Sequence, residues 1–425
     1  MQNLKICLAS DFNNGRHLYN GLCWEAVQAI ASTGDSTIIS LADRARGRLW
    51  KIRSGVERRL TGLPRLSVDE ISITDRFDCF VYVGMNPENL LMLKALKGWQ
   101  ECAPRSAVFL FESWSSKAHQ DRQYLKLLDD FDHVFLFNAA GVQTIQKYTS
   151  TPCSFLPAAA DCLKATPYPA PENRSIDIYG MGRGLEPVHE QLVDMTRTGE
   201  LFYLWDHQPG PVANGYEAAR LRTHHVIRHS RFFISFGFAA AAKSSSASVE
   251  DALPTRLFEG AAGGAVQIGS APKVAEFQQL FDWPDALIEM PLDPLDVRSF
   301  YHELQKDQTR INRASTQAAM HALRRHDWVY RWAEMLKTLG LSETPGVMAR
   351  RSRLSELAAI AEADLKIPTV GRKAPVRTGR KRSLAPRSLV TSGKRHLAFT
   401  PLVQKLCLKL MVLTIWSHHM IMLQT

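Results

Sequence analysis

What most limits the fold of this chain is an alternation that starts near its first residue and begins again in its middle. Leu4–Ala9 is a short continuous apolar run, the pattern of a strand buried on both faces. Asp11-Phe-Asn-Asn-Gly15 supplies turn chemistry, Leu18–Ala31 places apolar residues at helical spacing, and Thr37–Leu41 is a second strand. Phe77–Val83, Ala107–Phe111 and His133–Phe137 repeat the buried-strand signature, with helical stretches such as Asn89–Lys97 and Gln120–Leu128 between them. Pro152-Cys-Ser-Phe-Leu-Pro157 closes this half, and the Pro-rich segment Pro167–Pro171 reads as a hinge. The pattern then restarts. Ile176–Tyr179 is a strand, Gly180-Met-Gly-Arg-Gly184 a turn, Val188–Thr196 a helix, Leu201–Leu204 a strand, His224–His229 a helix and Phe232–Phe236 a strand. Strand, Gly-rich loop, helix and strand in that order open a doubly wound domain. The sequence therefore predicts an α/β chain of two Rossmann-like domains across a cleft, over residues 1–165 and 172–322.

A length of 425 residues is too great for one core, which agrees with two domains. The formal charge of +10 suggests a polyanion as partner until it is mapped. Pro345–Thr425 holds 15 Lys and Arg against 3 Asp and Glu, whereas the rest holds 37 against 39. The body is near neutral, so no specific nucleic-acid partner is expected of it. In the tail, Arg350–Leu365 reads as a short helix, Gly371–Arg395 has the composition of a disordered basic tract, and Phe399–Leu423 is apolar with Lys405 and Lys409 on one face. Over residues 345–425 the sequence predicts a basic, largely disordered tail with an amphipathic helix. A basic tract followed by such a helix can touch an anionic membrane; the other reading is a solvated tail with no partner. The seven cysteines are scattered with no C-x-x-C pair, which fits reduced thiols in a cytoplasmic chain. Met1-Gln-Asn-Leu-Lys lacks the features of a signal peptide, and no apolar run approaches the length of a membrane span.

The chemistry concentrates in Leu253-Pro-Thr-Arg-Leu-Phe-Glu-Gly-Ala-Ala-Gly-Gly264. Pro254 falls in the first turn of a short helix, and Thr255 and Glu259, four apart, share one of its faces. Gly260, Gly263 and Gly264 leave room for a ligand or for neighbouring backbone. A carboxylate beside small residues, with Arg256 nearby, suits a ligand bearing hydroxyls and phosphates. An ordinary helix–turn–strand with Glu259 solvated fits the same letters. Gly180 and Gly182 open the second half, but the third glycine of a dinucleotide fingerprint is replaced by Leu185, which weakens a nicotinamide reading. Arg183 either meets a phosphate there or is a solvated side chain. In the first half Gly15 and His17 sit on the first Gly loop. His17 is either a base beside the cleft or a structural residue at a helix start.

Together these pieces carry a resemblance. Phe155-Leu-Pro157 with Asp161, Asp177-Ile-Tyr-Gly180, the Leu253–Gly264 motif, and Arg325-His-Asp-Trp328 with Arg331 occur in this order. The succession resembles group 1 glycosyltransferases of GT-B fold, especially the branch similar to spore-maturation proteins, over residues 1–340 and most sharply over 250–332. The resemblance implies a cytoplasmic polysaccharide-pathway enzyme that moves a sugar from a nucleotide-sugar donor to an unidentified acceptor, with no metal or other cofactor. It places the association, if any, at the inner face of a membrane, through the tail. Glu259 would hold the ribose hydroxyls, while Arg256, Thr255, Gly180, Gly182, Arg183 and Gly15 would surround the donor and its diphosphate. A helix at 323–340 would brace the first domain. Retaining members carry Glu-x7-Glu, and the position eight before Glu259 is Asp251. Asp251 is then either a catalytic partner of the sugar or a helix cap, and retention against inversion stays open. The reading from another class is a non-catalytic GT-B-like binding or scaffold protein whose basic tail touches membrane or nucleic acid.

Overall fold

The computed structural model describes residues 4–15, 17–44, 48–61, 63–64, 66–171, 173–182, 184–206, 215–238 and 250–366. The first half runs β1 (Lys5–Ser10), α1 (Gly21–Ala31), β2 (Asp35–Ser40), α2 (Arg48–Thr61), β3 (Ile71–Ser72), β4 (Cys79–Gly84), β5 (Leu96–Lys97), β6 (Ser106–Leu110), α3 (Ala118–Leu125), β7 (His133–Leu136), α4 (Ala139–Ile145) and β8 (Cys153–Phe155). Six of these strands form one parallel sheet in the order β2-β1-β4-β6-β7-β8, and β3 pairs with β5 beside it. β4 is buried at every residue while edge strand β2 is largely open, as helices on both faces of a parallel sheet require. The expected helix over Asn89–Lys97 is instead a 3-10 helix, Pro87–Ala95. Leu90, Leu91, Met92 and Leu93 are all buried, so this run has no polar face to turn outward.

After a linking turn, α5 (Cys162–Ala165), the second half runs β9 (Ile176–Met181), α6 (Glu186–Arg197), β10 (Tyr203–Asp206), α7 (Gly215–Arg228), β11 (Ser230–Phe236), α8 (Arg256–Ala262), β12 (Val266–Ser270), α9 (Ala275–Leu280), β13 (Ile288–Glu289), α10 (Pro294–Lys306), α11 (Gln308–Arg325), α12 (Trp328–Thr338) and α13 (Pro345–Lys366). Its sheet is also all parallel, in the order β10-β9-β11-β12-β13. Each sheet therefore places its second strand outside its first and continues in chain order on the other side. Winding reverses between β1 and β4, and again between β9 and β11. At such points the loops leaving the C-terminal ends of neighbouring strands diverge and open a crevice. Two Rossmann-like halves in one compact unit, Met1–Val370, make the expected GT-B architecture.

The halves share one apolar core. Trp328 of α12 lies 6.3 Å from Phe109 and 6.1 Å from Phe111, ring centre to ring centre. Arg331, buried one helical turn on, donates from Nε to the Pro157 and Ala158 carbonyls at 3.0 and 3.1 Å, so the returning helix is fastened to the link. α13 changes the expectation for the tail at its near end. Val347, Leu354, Leu357, Ala358 and Ala361 form a buried stripe, and Arg350 bonds Asp327 at 2.8 Å and Asp161 at 2.6 Å. Residues 345–366 are thus part of the packed body; the basic tract and the apolar segment Phe399–Leu423 lie outside the described residues. Among the described residues no helix is long and apolar enough to cross a membrane.

Candidate functional site

The crevice of the second sheet gathers residues far apart in sequence. β9 ends at Met181, and Gly182 turns the chain with φ +66°, a conformation that disfavours a side chain. The Gly182 N–H donates to the Asp206 carbonyl at 2.9 Å. Buried Arg256 reaches across from the start of α8 and donates from Nη1 to the Met181 carbonyl at 3.0 Å. A Cβ on Gly182 would stand 3.9 Å from the guanidinium carbon. The Gly turn and the Arg-x-x-Glu helix are therefore one structure. Gly180 lies inside β9, paired with Trp205, one step back from the crevice. Arg183 lies outside the described residues.

Thr255 caps α8 through its backbone alone: its carbonyl accepts from the Phe258 and Glu259 N–H groups at 3.0 and 3.2 Å. Glu259 is not solvated; its residue is 1% exposed. One carboxylate oxygen accepts from Arg220 of α7. Arg220 Nε donates in turn to Glu25 of α1 at 2.8 Å, and His224 Nε2 lies 3.0 Å from the same Glu25 oxygen. The other Glu25 oxygen accepts from the Asp161 N–H at 3.0 Å and from Trp328 Nε1 at 3.2 Å. Burial alone would raise the Glu25 carboxyl, yet Arg220 and His224 hold it below the usual carboxylate range. Burial would likewise lower Arg220, and its two carboxylates raise it instead, so the cation is permanent. Glu259 Oε2 remains buried with no hydrogen-bond partner among the described residues. An orphaned carboxylate oxygen is a costly thing to keep and marks a place where a donor can be received.

Glu25 and Arg220 are absent from the sequence reading. Their signal is a charge at a core register: Glu25 is buried beside Ala26 and Val27, and Tyr216, Arg220, His224 and Ile227 form the buried face of α7. That polar face also explains why α7 begins nine residues earlier than the expected helix at His224.

Asp251 does not cap α8. Its carboxylate accepts from the Lys273 N–H at 2.7 Å and from the Ala252 N–H at 3.2 Å. It lines a cavity of about 370 Å³ between the halves, with Asn138, Gln143, Phe155, Leu253 and Glu276. The neighbouring Glu250 is what crosses to the first half. It accepts from the Ser115 and Ser116 N–H groups at 3.2 and 3.1 Å and from the Asn138 amide.

In the first half, the loop after β1 is built on a buried carboxylate that the sequence reading also missed. Asp11 accepts from the Met85 N–H at 3.1 Å and from the Asn89 amide, so it closes the winding reversal between β1 and β4. Burial pushes its carboxyl up to about 6 against these hydrogen bonds. Gly15 has φ +65°, and a Cβ there would meet His17 Nε2 at 2.7 Å. His17 is exposed and stacks on Tyr19, ring centres 5.1 Å apart. The three glycines after Glu259 serve packing. A Cβ on Gly260 would come within 2.6 Å of Phe233, one on Gly263 within 2.5 Å of Ile227 and one on Gly264 within 3.0 Å of half-buried Arg174. Among the described residues no cluster of three or more His, Cys, Asp or Glu could hold a metal ion.

Residues 182–337 match the model of a glycosyl transferase-like family. That segment opens at the Gly182 turn, closes within α12, and contains Arg220, Glu250, Asp251, Arg256 and Glu259; Glu25 and Asp161 lie before it. None of the curated proteins matches the chain. Among solved structures, an alpha-glucosyltransferase in complex with UDP-glucose and DNA is 10% identical, with TM-score 0.46 over 80% of this chain and 100% of its own. An alpha,alpha-trehalose-phosphate synthase (UDP-forming) from Burkholderia vietnamiensis is 10% identical, with TM-score 0.42 over 82% of this chain and 99% of its own. The N-terminal domain of a Candida albicans trehalose-6-phosphate phosphatase is 8% identical, with TM-score 0.47 over 80% and 97%.

Proposed function

We propose that the protein is a glycosyltransferase that moves a sugar from a nucleoside-diphosphate donor, bound at the crevice of the second sheet, to an acceptor entering from the first half. The observation that carries this is the joining of Arg256 to the Gly182 turn inside the segment that matches the glycosyl transferase-like model. Sugar transfer builds negative charge on the departing diphosphate. A buried guanidinium held beside the Gly182 turn stabilises that charge with little reorganisation. Glu259 Oε1 stays with Arg220, which leaves Oε2 as the acceptor for a ribose hydroxyl, reached when the halves part at the α1–α7 contact. Asp251, on the wall of the cavity, faces the sugar; His17 is the first-half candidate for a base toward the acceptor. No metal or other cofactor is part of this proposal. A cytoplasmic setting agrees with the unpaired described cysteines.

Calorimetry with UDP, GDP and ADP, and turnover with a panel of their sugars, test the assignment. Wild type is expected to bind one of the three. Arg256→Ala is expected to weaken that binding by about 1.5–3 kcal/mol, roughly tenfold to a hundredfold, the usual value of a charge-assisted hydrogen bond. No binding by wild type, or equal binding by Arg256→Ala, would overturn the site. The second reading is a non-catalytic nucleotide-binding scaffold. Binding without turnover of any donor would select it.

A further inference from the structure

Helix α2 presents its apolar stripe to solvent. Ile52, Val56 and Leu60 are 59%, 50% and 82% exposed, while Trp50, Ser54 and Glu57 are half-buried. At about 100° per residue, the three apolar side chains cover about 80° of the helix circumference. Arg53 falls about 20° beyond one edge of that stripe and Arg59 about 20° beyond the other, and both are exposed. The half-buried residues occupy the far side. Over Arg48–Thr61 the sequence holds five Lys and Arg and one acidic residue.

We propose that α2 is a docking face for an anionic lipid bilayer, lying in the plane of the interface with Ile52, Val56 and Leu60 toward the acyl chains. The chemistry selects this occupant. Aliphatic side chains gain from leaving water, and flanking arginines keep their guanidinium groups at the level of lipid phosphates. A nucleic acid offers nothing to the aliphatic stripe. A second copy would bring two strongly positive helices together. Three apolar residues anchor weakly, and the basic residues add a second, salt-screened attraction, so attachment is reversible and needs anionic lipid. This inference does not depend on sugar transfer, since vesicle binding is measured without turnover.

The test is co-sedimentation of the full chain with phosphatidylglycerol–phosphatidylcholine vesicles and with phosphatidylcholine vesicles alone. Wild type is expected on the anionic vesicles only, with binding that falls as salt is raised. Ile52→Asp with Leu60→Asp, and separately Arg53→Glu with Arg59→Glu, are expected to lower binding at least about tenfold with circular dichroism unchanged. Wild type that stays in solution overturns the proposal. So does binding that survives both pairs and is lost in the full-length tail variant Arg380→Glu, Lys381→Glu, Arg382→Glu. A concentration-dependent dimer abolished by Ile52→Asp with Leu60→Asp, without vesicle binding, overturns it in favour of self-association.

Discussion

Glu259 keeps a carboxylate out of reach of solvent, and what makes that tolerable is Arg220, itself shared with Glu25 from the other half of the molecule. The local sequence around Glu259 makes the residue look like an open ligand grip. It does not contain the cation that neutralises it. Asp11 is the contrasting buried carboxylate, which among the described residues accepts from the Met85 N–H and the Asn89 amide and from no cation. Its raised value of about 6 means that the folded protein holds a proton there which the unfolded chain, titrating near 3.8, has already lost. Its contribution to stability is therefore full below about pH 4 and declines as pH rises through 6, by about 3 kcal/mol. Glu25 has the opposite sign: its stabilisation is present above the ordinary glutamate range and is lost progressively as pH falls below it. Urea unfolding of wild type and Asp11→Asn at pH 4 and pH 7 separates the two. The difference in unfolding free energy should shift in favour of the variant at pH 7, and a pH-independent difference would refute the argument.

Elements are where the pattern of residues was most readable. The strands followed from continuous apolar runs because a parallel sheet covered by helices leaves no wet face. A helix whose buried stripe is polar, such as α7, shows only part of its length in the sequence, and α2, whose apolar stripe is wet, gives no sign of which face is open. Periodicity reports that a helix has two faces; it does not report which one meets the body. α4 shows a further limit. Gly141 sits inside this helix, where alanine would ordinarily add about 1 kcal/mol of helix stability. A Cβ at that position overlaps the Ser113 carbonyl oxygen, which belongs to backbone and cannot step aside. Gly141→Ala should therefore lose about 1–3 kcal/mol of unfolding free energy, read as a lower urea midpoint. A gain would show that the Ser113 segment yields.

At the scale of the whole molecule, the two halves are held by charges as well as by the shared aromatic core. Arg350 binds Asp161 of the link and Asp327 at the head of α12, so one side chain ties α13, the link and the second half together. Removing it leaves buried Asp327 without its cation and Asp161 with only the exposed Lys164, 3.1 Å away. Burial already raises Asp327 even with Arg350 beside it. Arg350→Ala should cost about 3–5 kcal/mol. Because the core is continuous, secondary structure and tryptophan packing should still be lost in one coincident thermal transition, at a lower temperature. Two separated transitions would show that the halves are independent.

The sequence by itself determined the parallel α/β class, the restart at residue 176, the helix after Pro254 and the order of the motifs between Phe155 and Arg331. These are local, since strand burial and turn chemistry are written in consecutive residues. Only the tertiary structure decided that Arg256 is joined to the Gly182 turn, that Glu259 is closed by Arg220 and Glu25, that Glu250 rather than Asp251 reaches the first half, and that α2 turns its apolar stripe outward. Each of these depends on which surfaces meet across tens or hundreds of residues, and a charge or a glycine does not announce its partner until the chain has folded onto it.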